Sequence, residues 1–294
     1  MNDQDWLAER FEANRPHLRG VAYRMLGSMA EADDAVQEAW IRLSRTDTRD
    51  VENLRAWLTT VVGRVCLNML RARSTRREGS LETHLPDPIV SAEGGLDPEQ
   101  EAVLGDTIGL ALLVVLDSLT PAERVSFVLH DVFALPFDEI GPIVGRTPAA
   151  ARQLASRARR RVQGAPVPDV DLDGQWAVVD AFLAAAREGD FERLLAVLDP
   201  DVVARSDAGA SRPAIASLVR GAEAVAGQAM SFRRFAETAT RVLVNGVPGG
   251  VAWAPDGSPF AVLAFTVRGG RIVAIDVLAD AERLARLDLT DVAG

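Results

Sequence analysis

The sequence predicts a multidomain protein in which two all-α domains precede an α+β domain. The chain has 294 residues, a length that suits about two or three domains of ordinary size. Apolar side chains recur at the 3.6-residue spacing of helices in the first half, and β-rich runs appear towards the end. Proline- and glycine-rich stretches separate the parts. The predicted division is a helical domain at 1–78, a linker at 79–96, a helical domain at 97–163, a linker at 164–174 and an α+β domain at 175–294.

The first domain is predicted to be a helical bundle. One helix ends near Leu26 at Gly27, and the next begins with Ser28 and Glu31, which have the spacing of a capping box. A longer amphipathic helix follows, because its apolar residues fall on one stripe at helical spacing: Leu54, Trp57, Leu58, Val61, Val62, Val65, Met69 and Leu70.

The second domain contains a helix-turn-helix candidate. Asp97 and Thr120 are predicted N-caps, because each precedes a proline at the first helical position and a Gln or Glu three residues on. The helix that starts at Thr120 is predicted to end near Phe133. Two helices around a tight turn then follow at 137–144, Gly145 and 147–163.

The third domain changes class. Helical stretches are predicted at 176–187, 190–198 and 223–237. Strand candidates are 202–206, 241–244, 251–254, 260–267 and 271–278. Gly269 and Gly270 form a two-residue loop between the last two strands, which is typical of a β-hairpin.

The net charge is −10, yet the basic residues cluster in two islands. All 32 of them are arginine, so a lysine nucleophile or Schiff base is excluded. Six arginines and no acid occur between positions 53 and 77, and again between 146 and 163. Clustered arginines on particular helices favour nucleic-acid binding despite the acidic average.

Several function classes are disfavoured by composition. The chain has one cysteine, Cys66, and three scattered histidines, so we expect no disulfide framework, no metal site and no cofactor. No stretch approaches the roughly 18 apolar residues of a membrane span, and the N-terminus lacks a signal-peptide pattern. These observations predict a cytoplasmic protein without a membrane partner.

The second arginine island lies on the last helix of the helix-turn-helix candidate. A recognition helix presents its first turns to the major groove, where arginine can pair with guanine and glutamine with adenine. An arginine-rich helix end that is only solvated is the alternative, since arginines in a last turn also favour the helix dipole. The outward residues that can contact DNA are Arg152, Gln153, Ser156, Arg157 and Arg160.

The first island lies on the long amphipathic helix. Its polar residues lie away from the apolar stripe and can bind phosphates or splayed bases. A solvated face would show the same pattern. The residues on this face are Arg55, Thr59, Thr60, Arg64, Asn68 and Arg71.

With these residues in view, positions 1–163 resemble an extracytoplasmic-function (group IV) sigma factor, the promoter-recognition subunit of bacterial RNA polymerase. One stretch of this chain, YRMLGSMAEADDAVQEAWIRL, resembles the region of those sigma factors that docks on the polymerase clamp. This similarity, and the polar side of an otherwise apolar helix, imply that core RNA polymerase binds Asp33, Asp34, Gln37 and Glu38.

Two further motifs imply promoter DNA as a partner. The helix that melts and reads the minus-ten element is similar to AWLTTVVGRVCLNMLRARSTRRE, which implies contacts by Arg64, Asn68, Arg71, Arg73 and Arg76. A later stretch of the chain resembles the region that reads the minus-thirty-five element: LTPAERVSFVLHDVFALPFDEIGPIVGRTPAAARQLASRARRRV. This resemblance implies that the outward face around Arg152 and Gln153 reads that element.

The rest of the chain resembles the subgroup with a C-terminal SnoaL-like domain, a cone of the nuclear-transport-factor type. HLPDPIV at 84–90 resembles the Trp-Leu-Pro-Glu-Pro linker motif of that subgroup. SDAGASR at 206–212 stands where the subgroup has Asp and three glycines, and LADAERLARL replaces an Asn-Pro-containing motif. The resemblance implies cis-regulation through Leu85, Pro86, Asp87, Pro88, Asp207 and Arg212.

Three alternatives stay open at this point. Cone-shaped domains can house isomerases and cyclases, but without His, Cys, Lys or Tyr after Pro166 catalysis would rest on carboxylates such as Asp207, Asp256 or Asp276, so we expect no enzyme. A helix-turn-helix repressor would not need the first domain. A small-molecule ligand is the third alternative, because aromatic residues can line a pocket or simply fill the core: Trp176, Phe182, Phe232, Phe235, Trp253, Phe260 and Phe265.

Overall fold

The computed structural model describes residues 3–46, 53–76, 83–93, 109–210, 212 and 215–292. Their contacts form two compact units. The first unit contains 3–46, 53–76 and 115–164, and the second contains 83–93, 109–114 and the described residues from 165 onwards. The helix start predicted at Asp97 lies outside the described residues. The domain boundaries given above stay predictions.

The first unit begins with three helices: α1 (Asp3–Leu26), α2 (Met29–Leu43) and α3 (Leu54–Arg76). α1 ends as predicted at Gly27, which has a φ of 73°. The three helices pack on one another through fully buried apolar side chains, among them Leu18, Val36 and Leu58.

The capping box predicted at the start of α2 does not form. Ser28 is the N-cap residue, with extended backbone, but its hydroxyl makes no capping hydrogen bond. The Glu31 carboxylate forms an ion pair with Arg73 of α3. This carboxylate is engaged by tertiary structure rather than by its own helix terminus.

Four further helices follow along the chain: α4 (Leu110–Asp117), α5 (Pro121–Phe127), α6 (Phe137–Val144) and α7 (Pro148–Val162). The second predicted capping box is confirmed, because the Thr120 and Glu123 side chains cap each other's backbone. A π-helical turn (Val128–Val132) extends α5 to the predicted end. α6 continues through Pro142, and Gly145, with a φ of 69°, joins it to α7. The predicted helix-turn-helix is confirmed.

The second unit combines a sheet with helices. Its strands are β1 (Val90–Ala92), β2 (Leu198–Asp207), β3 (Ser217–Arg220), β4 (Thr240–Val244), β5 (Val247–Trp253), β6 (Pro259–Arg268) and β7 (Arg271–Leu278). Its helices from residue 165 onwards are α8 (Leu172–Glu188), α9 (Phe191–Val197), α10 (Ala222–Ser231), α11 (Arg233–Ala236) and α12 (Ala281–Leu284). The predicted α+β class is confirmed.

The strands form one mixed sheet in the order β1-β4-β5-β6-β7-β2-β3. β2 and β7 are parallel, and the other neighbours are antiparallel. The predicted hairpin between β6 and β7 is confirmed, with φ values of 61° and 72° at Gly269 and Gly270. α8 packs on the sheet, where the Phe182 and Phe265 ring centroids are 5.4 Å apart.

Three features of the second unit differ from the sequence prediction. The helix predicted at 223–237 is interrupted at Phe232, which has φ −104° and ψ 15°. β3 was not predicted. β1 was not predicted either, and it lies in the first predicted linker, where Val90 pairs with Val244 and Ala92 with Val242 at the edge of the sheet. Part of that linker is therefore a strand of the second unit.

Candidate nucleic-acid interface and linker cluster

The exposed face of α7 is the candidate DNA-reading surface of the first unit. The Thr147 side-chain oxygen accepts a hydrogen bond from the Ala150 N–H at 3.3 Å and caps the helix. Ala151, Ala155 and Ala158 are fully buried, so α7 packs closely on α5 and α6. The outward residues are all exposed: Arg152, Gln153, Ser156, Arg157 and Arg160.

The arginines of α7 differ in what holds them. Arg157 Nε and Arg161 Nη1, in the second half of the helix, each lie 3.5 Å from a carboxylate oxygen of Glu123. Arg152, in the first half, has its guanidinium carbon 5.2 Å from the Phe137 ring centroid. The start of the helix thus presents an exposed arginine that rests on a ring rather than on a carboxylate.

The candidate DNA-reading residues of α3 are not equivalent. Arg73 is partly buried, donates to the Leu26 carbonyl at 3.0 Å and forms the ion pair with Glu31. Arg76 is the last residue of α3. The remaining three predicted residues are exposed on one side of the helix: Arg64, Asn68 and Arg71.

Thr59 is a correction to the predicted polar face of α3, because it is only 2% exposed. Its hydroxyl donates to the Arg55 carbonyl at 2.8 Å and lies 3.2 Å from His17 Nε2. Burial, with the charges of Arg55 and Arg24, lowers the pKa of His17 to about 4, so the ring is neutral near pH 7. His17 Nδ1 accepts from Arg55 Nη2 at 2.9 Å, which leaves Nε2 to donate to Thr59.

The candidate polymerase-binding residues lie on one side of α2. The opposite side of this helix is buried and consists of Ala32, Ala35, Val36 and Ala39. Asp33 accepts from Arg19 Nε at 2.7 Å, and Glu38 accepts from Arg42 Nε at 2.9 Å. Asp34 and Gln37 are exposed between them.

In the second unit, five residues form what we call the linker cluster: His84, Leu85, Asp87, Asp207 and Arg283. Asp207 Oδ2 accepts from the Leu85 N–H at 2.9 Å and from Arg283 Nη1 at 2.7 Å. Arg283 Nη2 donates to the Leu85 carbonyl and Arg283 Nε to Asp87 Oδ1, both at 2.6 Å. His84 Nδ1 lies 3.3 Å from the same Asp207 oxygen. One arginine and one carboxylate therefore hold the linker through backbone and side-chain groups.

The electrostatics of the linker cluster favour a charged Asp207. Burial by itself raises the pKa of this carboxyl group. Hydrogen bonds from His84 and the Leu85 N–H, together with the charge of Arg283, outweigh burial and lower the pKa to about 2. Asp207 is thus a carboxylate near neutral pH, and it forms an ion pair with Arg283, which also pairs with Asp87.

Gly209 and Asp280 position the arginine of the linker cluster. Asp280 caps α12 by accepting from the Arg283 N–H at 3.4 Å and the Glu282 N–H at 3.0 Å. Gly209 has a φ of 60°, and a Cβ atom there would lie 2.1 Å from Asp280 Oδ2. Only glycine fits beside the cap, so the one glycine that SDAGASR keeps is the one the packing requires.

A second contact holds the linker at the sheet edge. The buried Asn245 accepts from the Ile89 N–H at 3.0 Å through Oδ1 and donates its own N–H to the Ile89 carbonyl at 2.8 Å. Asn245 and Gly246 form the turn between β4 and β5, both with positive φ. This turn therefore both closes a hairpin and binds the linker.

The structure brings together most of the predicted regulatory residues. Leu85, Asp87 and Asp207 meet in the linker cluster, and Pro86 and Pro88 are buried in the same segment. Arg212 lies elsewhere: it donates to the Phe260 and Ala279 carbonyls at 3.3 Å, and its guanidinium carbon is 5.0 Å from the Phe260 ring centroid.

Sequence reasoning missed Arg283 and Asn245. Arg283 lies in LADAERLARL, the segment that departs from the subgroup motif, and the signal was an arginine just after a possible N-cap aspartate. For Asn245 the signal was the Asn-Gly pair between two β-rich runs, which is a strong hairpin marker.

The three carboxylates considered for catalysis do not share a site. Asp207 is in the linker cluster, and Asp256 accepts hydrogen bonds from Ser258 in an exposed turn. Asp276 is buried against Arg205 at 2.6 Å; burial raises its pKa, and the arginine opposes that effect. Within the described ranges, no group of three His, Cys, Asp or Glu side chains could hold a metal ion.

Two family models match the chain. Sigma-70 region 2 matches residues 10–76, and sigma-70 region 4 matches residues 109–162. In the part of the chain that the structure describes, no helix has both the length and the apolar character to cross a membrane.

Relatives from Mycobacterium tuberculosis match more of the chain. The ECF RNA polymerase sigma factor SigJ is 43% identical over 220 residues, which are 73% of this chain and 69% of the relative. A probable ECF RNA polymerase sigma factor SigI is 36% identical over 291 residues, 97% of each chain. The crystal structure of SigJ aligns with a TM-score of 0.80 at 36% identity, covering 96% of this chain and 100% of the SigJ chain.

Proposed function

The chain belongs to the extracytoplasmic-function RNA polymerase sigma factors, and on this basis we propose that it binds core RNA polymerase and directs promoter-specific initiation of transcription. The observation that carries the proposal for this chain is the exposed face of α7. That face follows a helix-turn-helix and begins with Arg152 and Gln153, side chains that read base edges in the major groove.

The two DNA-reading surfaces divide the promoter between them. The α7 face, with Ser156, Arg157 and Arg160 behind the first turn, reads the minus-thirty-five element. The exposed side of α3 reads the minus-ten element through Arg64, Asn68 and Arg71. A solvated helix end would account for one arginine-bearing helix. Two such helices in one chain favour a protein that reads two DNA elements.

The acidic side of α2 supplies the polymerase contact. Asp34 and Glu38 lie on this side of the helix, opposite its buried alanines. Charge reversal of both residues to arginine should weaken binding to purified core polymerase without unfolding α2, because neither side chain is in the core. Glu188→Arg with Glu192→Arg, exposed in the second unit, makes the same charge change and is the control. Unchanged core binding by the α2 variant would contradict this assignment.

Run-off transcription with purified core polymerase tests the function itself. With the full chain, core polymerase should initiate transcription at promoters where core polymerase alone does not. A repressor would bind DNA without initiating transcription, so this experiment distinguishes a sigma factor from a helix-turn-helix repressor.

For the second unit we propose a regulatory, non-catalytic role in cis. The linker cluster supports it, because Arg283 makes three hydrogen bonds to linker and domain groups at 2.6 to 2.7 Å. The dispersed carboxylates support the absence of catalysis. Deleting residues 175–294 should change promoter-dependent transcription. The non-catalytic role would be overturned if the protein turned over a substrate and Asp207→Asn abolished that turnover.

A sharper test leaves the domain in place. Arg283→Gln removes the charge that binds Asp87 and Asp207, whereas Arg286→Gln changes an exposed arginine three residues later. We expect Arg283→Gln alone to change the yield of run-off transcripts. Equal transcript yields from the two variants would contradict a regulatory role of the linker cluster.

A further inference from the structure

An apolar cavity of about 110 Å³ lies inside the second unit. Its wall is formed by α8, α10 and α11 on one side and by β2, β5, β6 and β7 on the other. Four of the seven aromatic residues noted in the sequence line it: Phe182, Phe232, Phe235 and Phe260. Trp176 and Phe265 pack in the core, and Trp253 Nε1 donates to Thr240 at 2.9 Å.

Alanine is the most frequent residue in the wall of the cavity. Eight of the twenty described lining residues are alanines, among them Ala229, Ala252 and Ala279. Protein cores are normally packed without voids of this size, and an empty apolar cavity destabilises a protein in proportion to its volume. Larger aliphatic side chains at these positions would fill the space. The alanines therefore maintain a volume that packing alone disfavours.

The chemistry of the wall restricts the occupant. Ser206 and Gln228 are the polar side chains among the described lining residues, and none of these residues is charged. Gln228 Nε2 already donates to Ser217 at 2.8 Å. A charged molecule would lose its hydration without meeting a counterion, which is strongly unfavourable. An uncharged molecule with at most one or two polar atoms meets no such penalty.

Aromatic rings shape one part of the wall. Phe235 and Phe260 are stacked, with centroids 3.6 Å apart and planes 4° from parallel. Phe232 lies beside this pair, with its centroid 6.2 Å from that of Phe235. Such a wall favours a planar ring or a compact hydrocarbon. Ala229, Phe232 and Ala236 are partly exposed, so access is from the α10–α11 side.

We propose that this cavity is a binding site for an uncharged, largely apolar molecule of about one ring. An apolar cavity of about 150 Å³ in another protein stays dry and takes up benzene, so the size is suitable. Binding at this site does not depend on promoter recognition and can be tested without polymerase.

Fluorobenzene is a suitable probe, followed by ¹⁹F NMR titration of the full chain. We expect saturable binding, and fluorobenzoate, which has a similar ring with a negative charge, should bind at least about tenfold more weakly. Ala229→Leu fills the cavity from α10 and should lower the affinity for fluorobenzene by at least about tenfold. Ala224→Leu makes the same change on the exposed side of α10 and should leave the affinity within about twofold.

A second measurement locates the probe without substitution, in case Ala229→Leu does not fold. Nuclear Overhauser effects should connect fluorobenzene with the methyl groups of Ile215 and Val277, which line the cavity. Absence of saturable binding, equal binding of fluorobenzoate, Overhauser effects only to methyl groups elsewhere, or an unchanged affinity in a folded Ala229→Leu variant would each overturn the proposal.

Discussion

The arginines of the first unit have different roles according to their partners. Arg124 is 1% exposed and donates to Asp117 at 2.8 Å and to the Arg24 carbonyl at 3.3 Å, so it is a structural residue. Arg73 is held in a similar way by Leu26 and Glu31. Such sites use the fixed fork of a guanidinium group, which an ammonium group does not reproduce. Arg152, by contrast, is exposed, and its guanidinium carbon lies 5.2 Å from the Phe137 ring centroid.

The first prediction concerns Arg152. If its guanidinium pairs with a guanine, Arg152→Ala should cost about 1 to 3 kcal/mol of binding and relax the preference at one base pair. Arg160→Ala, which would remove a phosphate contact, should weaken all sequences alike. Fluorescence anisotropy with duplexes that differ at single positions measures both effects. Arg268→Ala, which removes an exposed arginine of the second unit, is the control. If Arg152→Ala has the same affinity and base preference as this control, Arg152 does not contact the promoter as proposed.

The second prediction concerns the pH dependence of the linker cluster. The folded pKa of Asp207 is about 2, below its ordinary 3.8, so folding favours the carboxylate. Its stabilising contribution is therefore complete above about pH 4 and is lost as the pH falls from 3.8 towards 2. Hydrogen exchange at the Leu85 N–H, which donates to Asp207, should report this loss as reduced protection.

The reference for that measurement is the Ile89 N–H, which donates to the uncharged Asn245. Its protection should change less over the same pH range. Asp207→Asn should lower Leu85 protection already at pH 7, since the amide has no charge to pair with Arg283. Parallel loss at both amides would show that Asp207 does not control the linker locally.

At the scale of elements, local patterns predict most of the first unit. The helix-turn-helix follows from an N-cap threonine, a glycine at a left-handed turn and alanines at helical spacing, all within 27 residues from Phe137 to Gln163. The side-chain partners do not follow in this way. Thr59 is buried because His17 approaches from another helix, and the Glu31 carboxylate is taken by Arg73.

Strand β1, which the sequence pattern does not predict, depends on a partner far along the chain. β1 has three residues and is a strand only because β4, about 150 residues later, provides its hydrogen bonds. Its proline-rich surroundings predict a linker. Arg283 is another such case, since its role requires Leu85 and Asp87 from the linker. Sequence spacing carries no direct information on such distant pairs.

The third prediction concerns Gly209. Gly209→Ala places a Cβ atom against Asp280, so the N-cap of α12 must move and take Arg283 with it. Gly257 has a φ of 81° but open space around it, so Gly257→Ala should cost only the backbone strain of about 1 kcal/mol. Gly209→Ala should cost more and should also lower hydrogen-exchange protection at Leu85. Equal effects of the two variants would remove the role assigned to the Asp280 contact.

At the scale of the whole molecule, the cavity and the linker cluster adjoin each other in the second unit. Ser206 and Ala279 line the cavity and adjoin Asp207 and Asp280 in the chain. The Ala279 N–H donates to the Asp207 carbonyl at 2.6 Å. A ligand that orders these strand ends should favour the docked linker, and linkage requires that the docked linker favours the ligand by the same factor.

The fourth prediction follows from this reciprocity. Arg283→Gln should weaken fluorobenzene binding, although Arg283 does not line the cavity. Arg286→Gln should not. Titration of both variants by ¹⁹F NMR measures the coupling as the ratio of their dissociation constants. A ratio near one would mean that the cavity and the linker act independently.

The edge strand β1 has a consequence for shortened forms of the protein. A chain cut after residue 164 keeps residues 83–93 but loses the other strands of their sheet. Leu85, Ile89 and Val90, at most 6% exposed in the full chain, would then meet water next to unpaired backbone groups. Such a segment can pair with a copy of itself. Light scattering should therefore show self-association of the shortened chain at concentrations where the full chain stays dispersed.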